Sequence, residues 1–541
     1  MYEAAVRANE DARVNPRRDV QSFVTVVEDF IEGVSIFDEY VPGQIEVLLK
    51  PTCTTRGEGI HGFITIKAAS TAELSFRERS RTHLQGGKSM RTVYAVSGGV
   101  SKFTKARQDK TFPAVVKEAY DYAIADLGLE HPQFWEIVDG TVASYFSDHF
   151  ARQLMAAIMA QDYLGMCPKP SHRVEGGGAT GGICFQEGWK AIASGYMDVC
   201  LCYGFETMSH VQTWKGNEFI ALASDVSFDY PVGGFYSGYY AMMVTRHMKE
   251  FGTTVEQMAH VSVKNHMNAY YNPYAQKRQK LTIQDVRNAP MVAWPLTRLD
   301  ICVMSDGAAC TILASEEGLA KLEKASGQRV PRVRVAGIGR GTDAMRMADR
   351  PHQSYEDFLK YNLLPSEDTA ETRAYYKSLW DRGFRYPGVH SFRAGRMGSK
   401  EAYKNAGITD PLAQIDFVEL HDAYTSSEVQ TYEDMGLCRY GEGGPFAASG
   451  RAFVPGIDYG LNLSEEPACS VNPSGGLIAC GHPVGATGLM QAAFAIWQLQ
   501  HTIEKHFGTP ELQVPNAQRG AIHSHAGTGT YVTVSILERE A

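Results

Sequence analysis

The chain is 541 residues long and carries 52 basic and 61 acidic side chains, a net charge of −9. At roughly 150 residues per domain that length corresponds to about three to four structural units. Hydrophobic residues at 44% and charged residues at 21% are the proportions of a folded protein and exclude a disordered or collagen-like chain. The acidic balance leaves a nucleic-acid role to a local basic patch. The one obvious cluster, RERSRTH from Arg77 to His83, reads as a solvated face or linker, so no nucleic-acid partner is expected.

Ten cysteines are too sparse for a disulfide scaffold, and none stands in a CxxC pair of the kind zinc ribbons use. No metal site is expected. Cys200 and Cys202 share one side of an apolar run and read as core. No apolar stretch approaches the roughly 18 residues of a membrane helix, and the opening residues lack the apolar region of a secretory signal. A reducing cytoplasm, away from membranes, is the expected location.

In chain order, residues 1–90 stand apart. The linker-like ERSRTHLQGGKS precedes a fresh start at MRTVYAVSGGVSKF, a predicted strand with a glycine turn. From there strands alternate with amphipathic stretches such as FPAVVKEAYDYAIADLGL, the pattern of α/β layering. Between Met208 and Asp300 the alternation gives way to polar helices (VEQMAHVSVKNHMNAYY) and aromatic glycine turns (DYPVGGFYSGYY), which predict a loop domain inserted into the first α/β unit. A second unit starts near Val330 with VPRVRVAGIGRG and ends with the strand from Tyr531 to Arg539, so two similar halves, 91–330 and 331–541, are expected.

Four segments carry chemistry, three of them glycine-rich. HRVEGGGATGGICFQEGWKAIASGYMDVCLCYGFE sets clustered glycines at the opening of a predicted helix, where free N–H groups hold an anionic oxygen or depress the pKa of a thiol; a tight strand-to-helix turn explains the same residues. FVELHDAYT puts His421 and Asp422 after an apolar strand, at the end where α/β proteins place ligands, although turns use both residues freely. NPSGGLIACGHPVGATG sets Cys480 two residues before His482, a plausible proton-transfer pair on one loop. AIHSHAGTGTYVTV places His523 and His525 before a Gly-Thr-Gly turn, either as titratable groups beside backbone N–H donors or as caps of the turn.

Taken together with VKNHMNAYYNPYAQKRQ, PMVAWPLTRLDICVMSDGAA and GEGGPFAASG, all in family order, residues 91 to 541 resemble the thiolase superfamily, most closely its sterol-carrier-protein-type and archaeal-type members. The resemblance implies an α/β, duplicated thiolase fold, layered αβαβα, with a loop domain (about 208–300) contacting coenzyme A and an N-terminal extension. It implies no bound cofactor, coenzyme A as substrate, and at least a homodimer. By the same resemblance His482 activates the nucleophile and helps bind the thioester oxygen, His421 holds a catalytic water, and Cys480 is an acid/base. His525 occupies the place of the acid/base cysteine of a Cys-x-Gly turn, Gly178 and Gly527 line an oxyanion hole, and Met304 and Ser305 touch substrate.

One departure bears on mechanism. Where the family reads Cys-Ala-Thr-Gly or Cys-Ala-Ser-Gly, this chain reads Gly178-Ala179-Thr180-Gly181. Glycine has no side chain to acylate, so the path through an acyl-enzyme cannot run there, although its N–H still serves an oxyanion hole. Cys184, about 9 Å further along the helix axis, is a poor substitute. Either the glycine was introduced to trap substrate, or the enzyme makes or breaks a carbon–carbon bond beside a thioester without covalent catalysis.

The chain also looks like thiolase-like aldolases of steroid side-chain degradation, which lack this cysteine and work with a small zinc-ribbon and OB-fold partner chain. Tyr424, where the family motif usually has phenylalanine, gives such chemistry a phenolic proton donor. The expected function is 3-oxoacyl-CoA thiolase or acyltransferase-like chemistry without the usual nucleophile. Retro-aldol cleavage of a 3-hydroxyacyl-CoA is one alternative, and an inactive acyl-CoA-binding or scaffold subunit another. EDFIEGVSIFDEYVPGQ and TRGEGIHGFITIKAAS echo thiolase N-terminal sequence, as a partial duplication or an accessory docking segment.

Overall fold

The computed structural model describes residues 90–540 and, before them, the strands β1 (Ile45–Leu48) and β2 (Thr65–Ala68). The chain divides into two compact units, Met1–Ser89 and Met90–Ala541. In the first, β1 and β2 pair antiparallel, Ile45 opposite Ala68. The basic cluster at Arg77 to His83, all of EDFIEGVSIFDEYVPGQ and most of TRGEGIHGFITIKAAS lie outside the described residues.

The second unit is built twice from one plan. In its first half the strands are β3 (Tyr94–Val100), β4 (Gly140–Ser144), β5 (Ser171–Val174), β6 (Val199–Thr207) and β9 (Asp306–Ala314); β7 (Met291–Ala293) and β8 (Leu296–Thr297) form a separate small hairpin. The second half has β10 (Val333–Thr342), β11 (Phe417–Glu419), β12 (Ser470–Val471), β13 (Arg519–Ala526) and β14 (Tyr531–Arg539). Spatial order is β12-β11-β13-β14-β10 followed by β3-β9-β6-β4-β5, so each half places its strands in the same order outward from the join. The two halves of the sheet join at β10 and β3, with Arg334 opposite Tyr94.

The helices repeat the duplication. After β3 and β10 come α1 (Phe112–Asp126) and, later in the chain, its counterpart Arg393–Ala406; exposed on the first half lies α2 (Ala156–Tyr163). α3 (Thr180–Ala193) follows β5 as Thr487–Gln500 follows β12. The Thr487–Gln500 helix is apolar all round and buried from Thr487 to Leu499, as a helix between two layers must be. It crosses α3 backbone to backbone: a β-carbon on Gly181 would stand 2.6 Å from the nitrogen of Gly488, and one on Gly488 would collide with that of Gly182. This close approach is the physical need behind the glycines of both helix openings. Cys200 and Cys202 face α3 from the fully buried β6.

The region 208–300 is helical: α4 (Thr213–Ala221), α5 (Tyr236–Phe251) and α6 (Val255–Tyr271), with Thr254 and Gln257 closing a capping box at the start of α6. The long connection after β10, residues 343–392, adds α7 (Tyr355–Asn362) and α8 (Ala370–Asp381), whereas the equivalent connection after β3 is residues 101–111. This insertion has a small aromatic core of Phe358, Tyr376, Phe384 and Tyr386 joined by Tyr440. It is tied down where α9 (Arg393–Ala406) begins, by the buried ion pair of Arg396 with Glu367 at 2.9 Å.

Candidate active site

Four loops converge beyond the strand ends, the usual place for a site in α/β architecture. β11 runs into His421 and Asp422, and β13 carries His523 and His525 two residues apart on one face. A wide turn, Gly476–Cys480, leads into Gly481 and His482, and a tight turn, Gly177–Ala179, opens α3. The rings of His421 and His482 meet edge to face with centroids 5.0 Å apart. His525 stacks on His421 at 5.7 Å, and His523 lies 6.1 Å from His525. A β-carbon on Gly178 would collide with the carbonyl oxygen of His525 and stand 3.0 Å from Cε1 of His421. The backbone of Gly178 is therefore in direct contact with the imidazole cluster.

Burial keeps these rings neutral, because moving a charged imidazole out of water is unfavourable. His421 is held well below its ordinary value by burial and by its imidazole neighbours; His523 and His525 are pushed down to about 3, chiefly by burial. The half-buried His482 is pushed the same way. Nδ1 of His421, of His482 and of His525 are each buried with no hydrogen-bond partner among the described residues. The three unpartnered nitrogens fall within one cluster of rings. A neutral imidazole offers a lone pair on one nitrogen and a proton on the other, the equipment for proton transfer.

Asp422 does not pair with the imidazole beside it in sequence. Its carboxylate accepts the N–H of Leu477 at 2.6 Å and the amide of Asn265 at 2.8 Å, clamping the wide turn that delivers His482. The fully buried Lys264–Glu428 pair, 2.9 Å apart, stands behind it through Asn265. Ser305 supports the same loop: its oxygen accepts the backbone N–H of His482 at 3.0 Å and lies 2.6 Å from Gln276, so it holds the loop from behind. Met304 bridges to His482 through its backbone and packs with Phe150 and Val484 against α4.

Two expectations are corrected. Cys480 is adjacent to His482 in sequence but not in the site: its thiol lies 3.6 Å from the sulfur of Met490 and 3.6 Å from Nδ2 of Asn272, inside the apolar core. Gly481, at φ +125°, turns the chain between the two residues, and burial with nearby Glu419 and Asp422 drives the thiol well up. The hydroxyl of Tyr424 lies 3.2 Å from Ser237 of α5. It is Tyr240, stacked on Tyr424 with centroids 4.2 Å apart, whose hydroxyl reaches the cluster, 2.9 Å from Nε2 of His525 and 2.9 Å from the carbonyl of Gly527.

Two further cysteines lie near the site or the helix it opens. The Cys184 thiol is buried 3.3 Å from the carbonyl of Val142. Cys302 lies beside the Ile301–Tyr424 bridge, and burial pushes its thiol up to about 12. Gly527 holds φ +63°, a left-handed conformation suited to glycine, and directs its carbonyl at Tyr240. Among the described residues no group of three or more His, Cys, Asp or Glu side chains is arranged to hold a metal ion.

Residues 92–317 match the thiolase N-terminal domain and residues 385–539 the thiolase C-terminal domain-like family. The chain belongs to the thiolase superfamily. It is 34% identical over 450 residues to an acetyl-CoA acetyltransferase of Methanothermobacter thermautotrophicus, covering 83% of this chain and all of that one. A benzoylsuccinyl-CoA thiolase subunit of Thauera aromatica is 28% identical over 440 residues, 81% of this chain and 95% of its own. Among solved structures the Ltp2-ChsH2(DUF35) aldolase superposes with TM-score 0.62 at 21% identity, over 84% of this chain and 99% of that one.

Sequence reasoning located His421 from its place after an apolar strand and His482 and His525 from their glycine-rich turns, and the structure brings all three together. It missed Tyr240 and Phe392, whose ring meets His525 edge-on at 4.5 Å. The only signal for Tyr240 was the density of tyrosines in DYPVGGFYSGYY, which core packing explains equally well.

Proposed function

We propose that this thiolase-family enzyme makes or cleaves a carbon–carbon bond next to a CoA thioester without an acyl-enzyme, and that its reaction is the retro-aldol cleavage of a 3-hydroxyacyl-CoA. The carrying observation is Gly178, which offers no nucleophile and no room for a β-carbon against His525 and His421. In this reading an imidazole of the cluster takes the proton of the 3-hydroxyl. The C2–C3 bond breaks, its electron pair passes into the thioester as an enolate, and C3 leaves as a carbonyl compound. The backbone N–H of Gly178 and the side chain of His482 stabilise the enolate oxygen. A proton returned from imidazolium to C2 completes a shorter acyl-CoA.

Thiolysis consumes free coenzyme A, and retro-aldol cleavage does not. Incubation with a 3-hydroxyacyl-CoA and no free coenzyme A is expected to yield a carbonyl product and a shorter acyl-CoA in equal amounts. Product formation only after free coenzyme A is added would remove the aldolase reading.

The benzoylsuccinyl-CoA thiolase relative and the tyrosines and Phe235 of the loop region favour a bulky aromatic or polycyclic acyl group. We place the domain boundaries near residue 90 and near residue 330, and the protein in the cytoplasm. A homodimer is supported by the open edge of β5, paired only with β4 among the described residues, and by Leu154, Met155, Ile158 and Met159 exposed on and before α2. The likeness to the Ltp2-ChsH2(DUF35) aldolase supports a small zinc-ribbon and OB-fold partner chain as part of the working assembly.

A further inference from the structure

The hydroxyl of Tyr240 is shared between two groups, Nε2 of His525 and the carbonyl of Gly527, each at 2.9 Å. A phenol has one proton to give, and a carbonyl only accepts. If the phenol donates to Gly527, the carbonyl is satisfied, and the Nε2–H of His525 donates to the phenol oxygen. Nδ1 is then left as a bare lone pair. The opposite arrangement leaves the carbonyl without this donor and puts a proton on Nδ1, a buried atom with no acceptor among the described residues. A buried N–H without a partner is the rarer and costlier outcome.

We infer that Tyr240 is a positioning residue that fixes His525 as its Nε2–H tautomer, so that Nδ1 of His525 is the proton acceptor of the site. The inference rests on the proposed reaction for its catalytic meaning and on geometry alone for the tautomer. The surroundings hold the arrangement. Tyr240 is buried and stacked on Tyr424, whose own hydroxyl is anchored at Ser237. Phe392 meets the His525 ring edge-on and lies 6.4 Å from Tyr240, centroid to centroid. Arg350, itself buried, donates to the carbonyl of Thr528 at 2.9 Å and to its hydroxyl at 3.2 Å, which steadies the turn that presents the Gly527 carbonyl. His525 lies on β13 of the second half and Tyr240 on α5 of the loop region, so the loop region sets the protonation of a residue on the other half.

The test is Tyr240→Phe, which removes the hydroxyl and keeps the ring. With histidine-specific 15N labelling, long-range proton–nitrogen correlation spectra show which ring nitrogen carries the proton, with no substrate present. The parent protein is expected to show His525 as pure Nε2–H, and Tyr240→Phe a mixture of tautomers. On the substrate that the parent enzyme turns over, kcat is expected to fall about a hundredfold with KM nearly unchanged. An Nδ1–H tautomer in the parent protein, or an unchanged pure Nε2–H tautomer in Tyr240→Phe, would overturn the inference. Because the tautomer is measured without substrate, it does not depend on whether carbon–carbon cleavage is observed. His525→Gln, expected to lose turnover while the far-ultraviolet spectrum is kept, identifies the assigned resonance.

Discussion

Residue 178 carries the central consequence. Restoring the family's cysteine there does not restore a thiolase, because the β-carbon meets the carbonyl of His525 before any sulfur is placed. Gly178→Cys is expected to lower stability by about 1–3 kcal/mol, the usual effect of overpacking, and to form no acyl-enzyme; denaturant unfolding and mass spectrometry read both. His482→Ala is expected to reduce turnover at least a hundredfold, to the scale of a lost proton-transfer group, and near-normal rates in that variant would remove the assignment. The imidazoles are neutral because they are buried, so kcat/KM is expected to show no inflection near pH 6.5, where an exposed histidine titrates, and to fall only in more acidic solution. At this scale the sequence is readable where a titratable residue follows an apolar strand, as His421 does, or sits beside a glycine turn, as His482 and His525 do. It misleads where nearness in sequence stands in for nearness in space: Cys480 and His482 are two residues apart, yet Gly481 sends their side chains to different places.

Among the elements, the apolar strands β3, β6 and β14, the alternating β10 and the helix α1 follow their hydrophobic patterns, whereas α6, which reads as a polar helix, buries Lys264, Asn265, His266 and Asn268. The GATG repeats at 178–181 and 485–488 expose the duplication, each opening one of the two helices that cross through glycine backbones. The insertion at 343–392 was not legible, because its polar helices close over a private aromatic core rather than over the main one. Its anchor is testable. Arg396 and Glu367 form a buried, bidentate pair, and Arg396 also donates to the carbonyl of Glu433. Glu367→Ala leaves a buried guanidinium without its carboxylate and is expected to lower stability by about 3–5 kcal/mol in urea unfolding. A loss near zero would mean that the insertion does not depend on this pair.

For the whole molecule, buried titratable groups shape the response to pH. Histidines such as His390, His523 and His525, held down to about 3 by burial, contribute stability that is complete above their unfolded value of 6.5. That stability is lost as pH falls from 6.5 towards 3, since the unfolded chain binds the protons first. Glu206 and Glu419, raised to about 8 by burial, contribute stability that is complete below 4.5 and lost as pH rises through 8. Melting temperature is therefore expected to peak near pH 6.5 and to fall on both sides; a monotonic profile would contradict these buried states. Light scattering is expected to give twice the chain mass of 59.6 kDa, with Met159→Glu on the exposed apolar helix shifting the population towards single chains.

The proposed mechanism turns on one property, carbon–carbon chemistry beside a thioester with no covalent intermediate. The most direct measurement is the intact mass of the enzyme, quenched in acid during turnover of a 3-hydroxyacyl-CoA without free coenzyme A. The mechanism predicts product accumulating while the protein keeps its unmodified mass of 59.6 kDa. An acyl mass increment that maps to a cysteine and decays when free coenzyme A is added would contradict it.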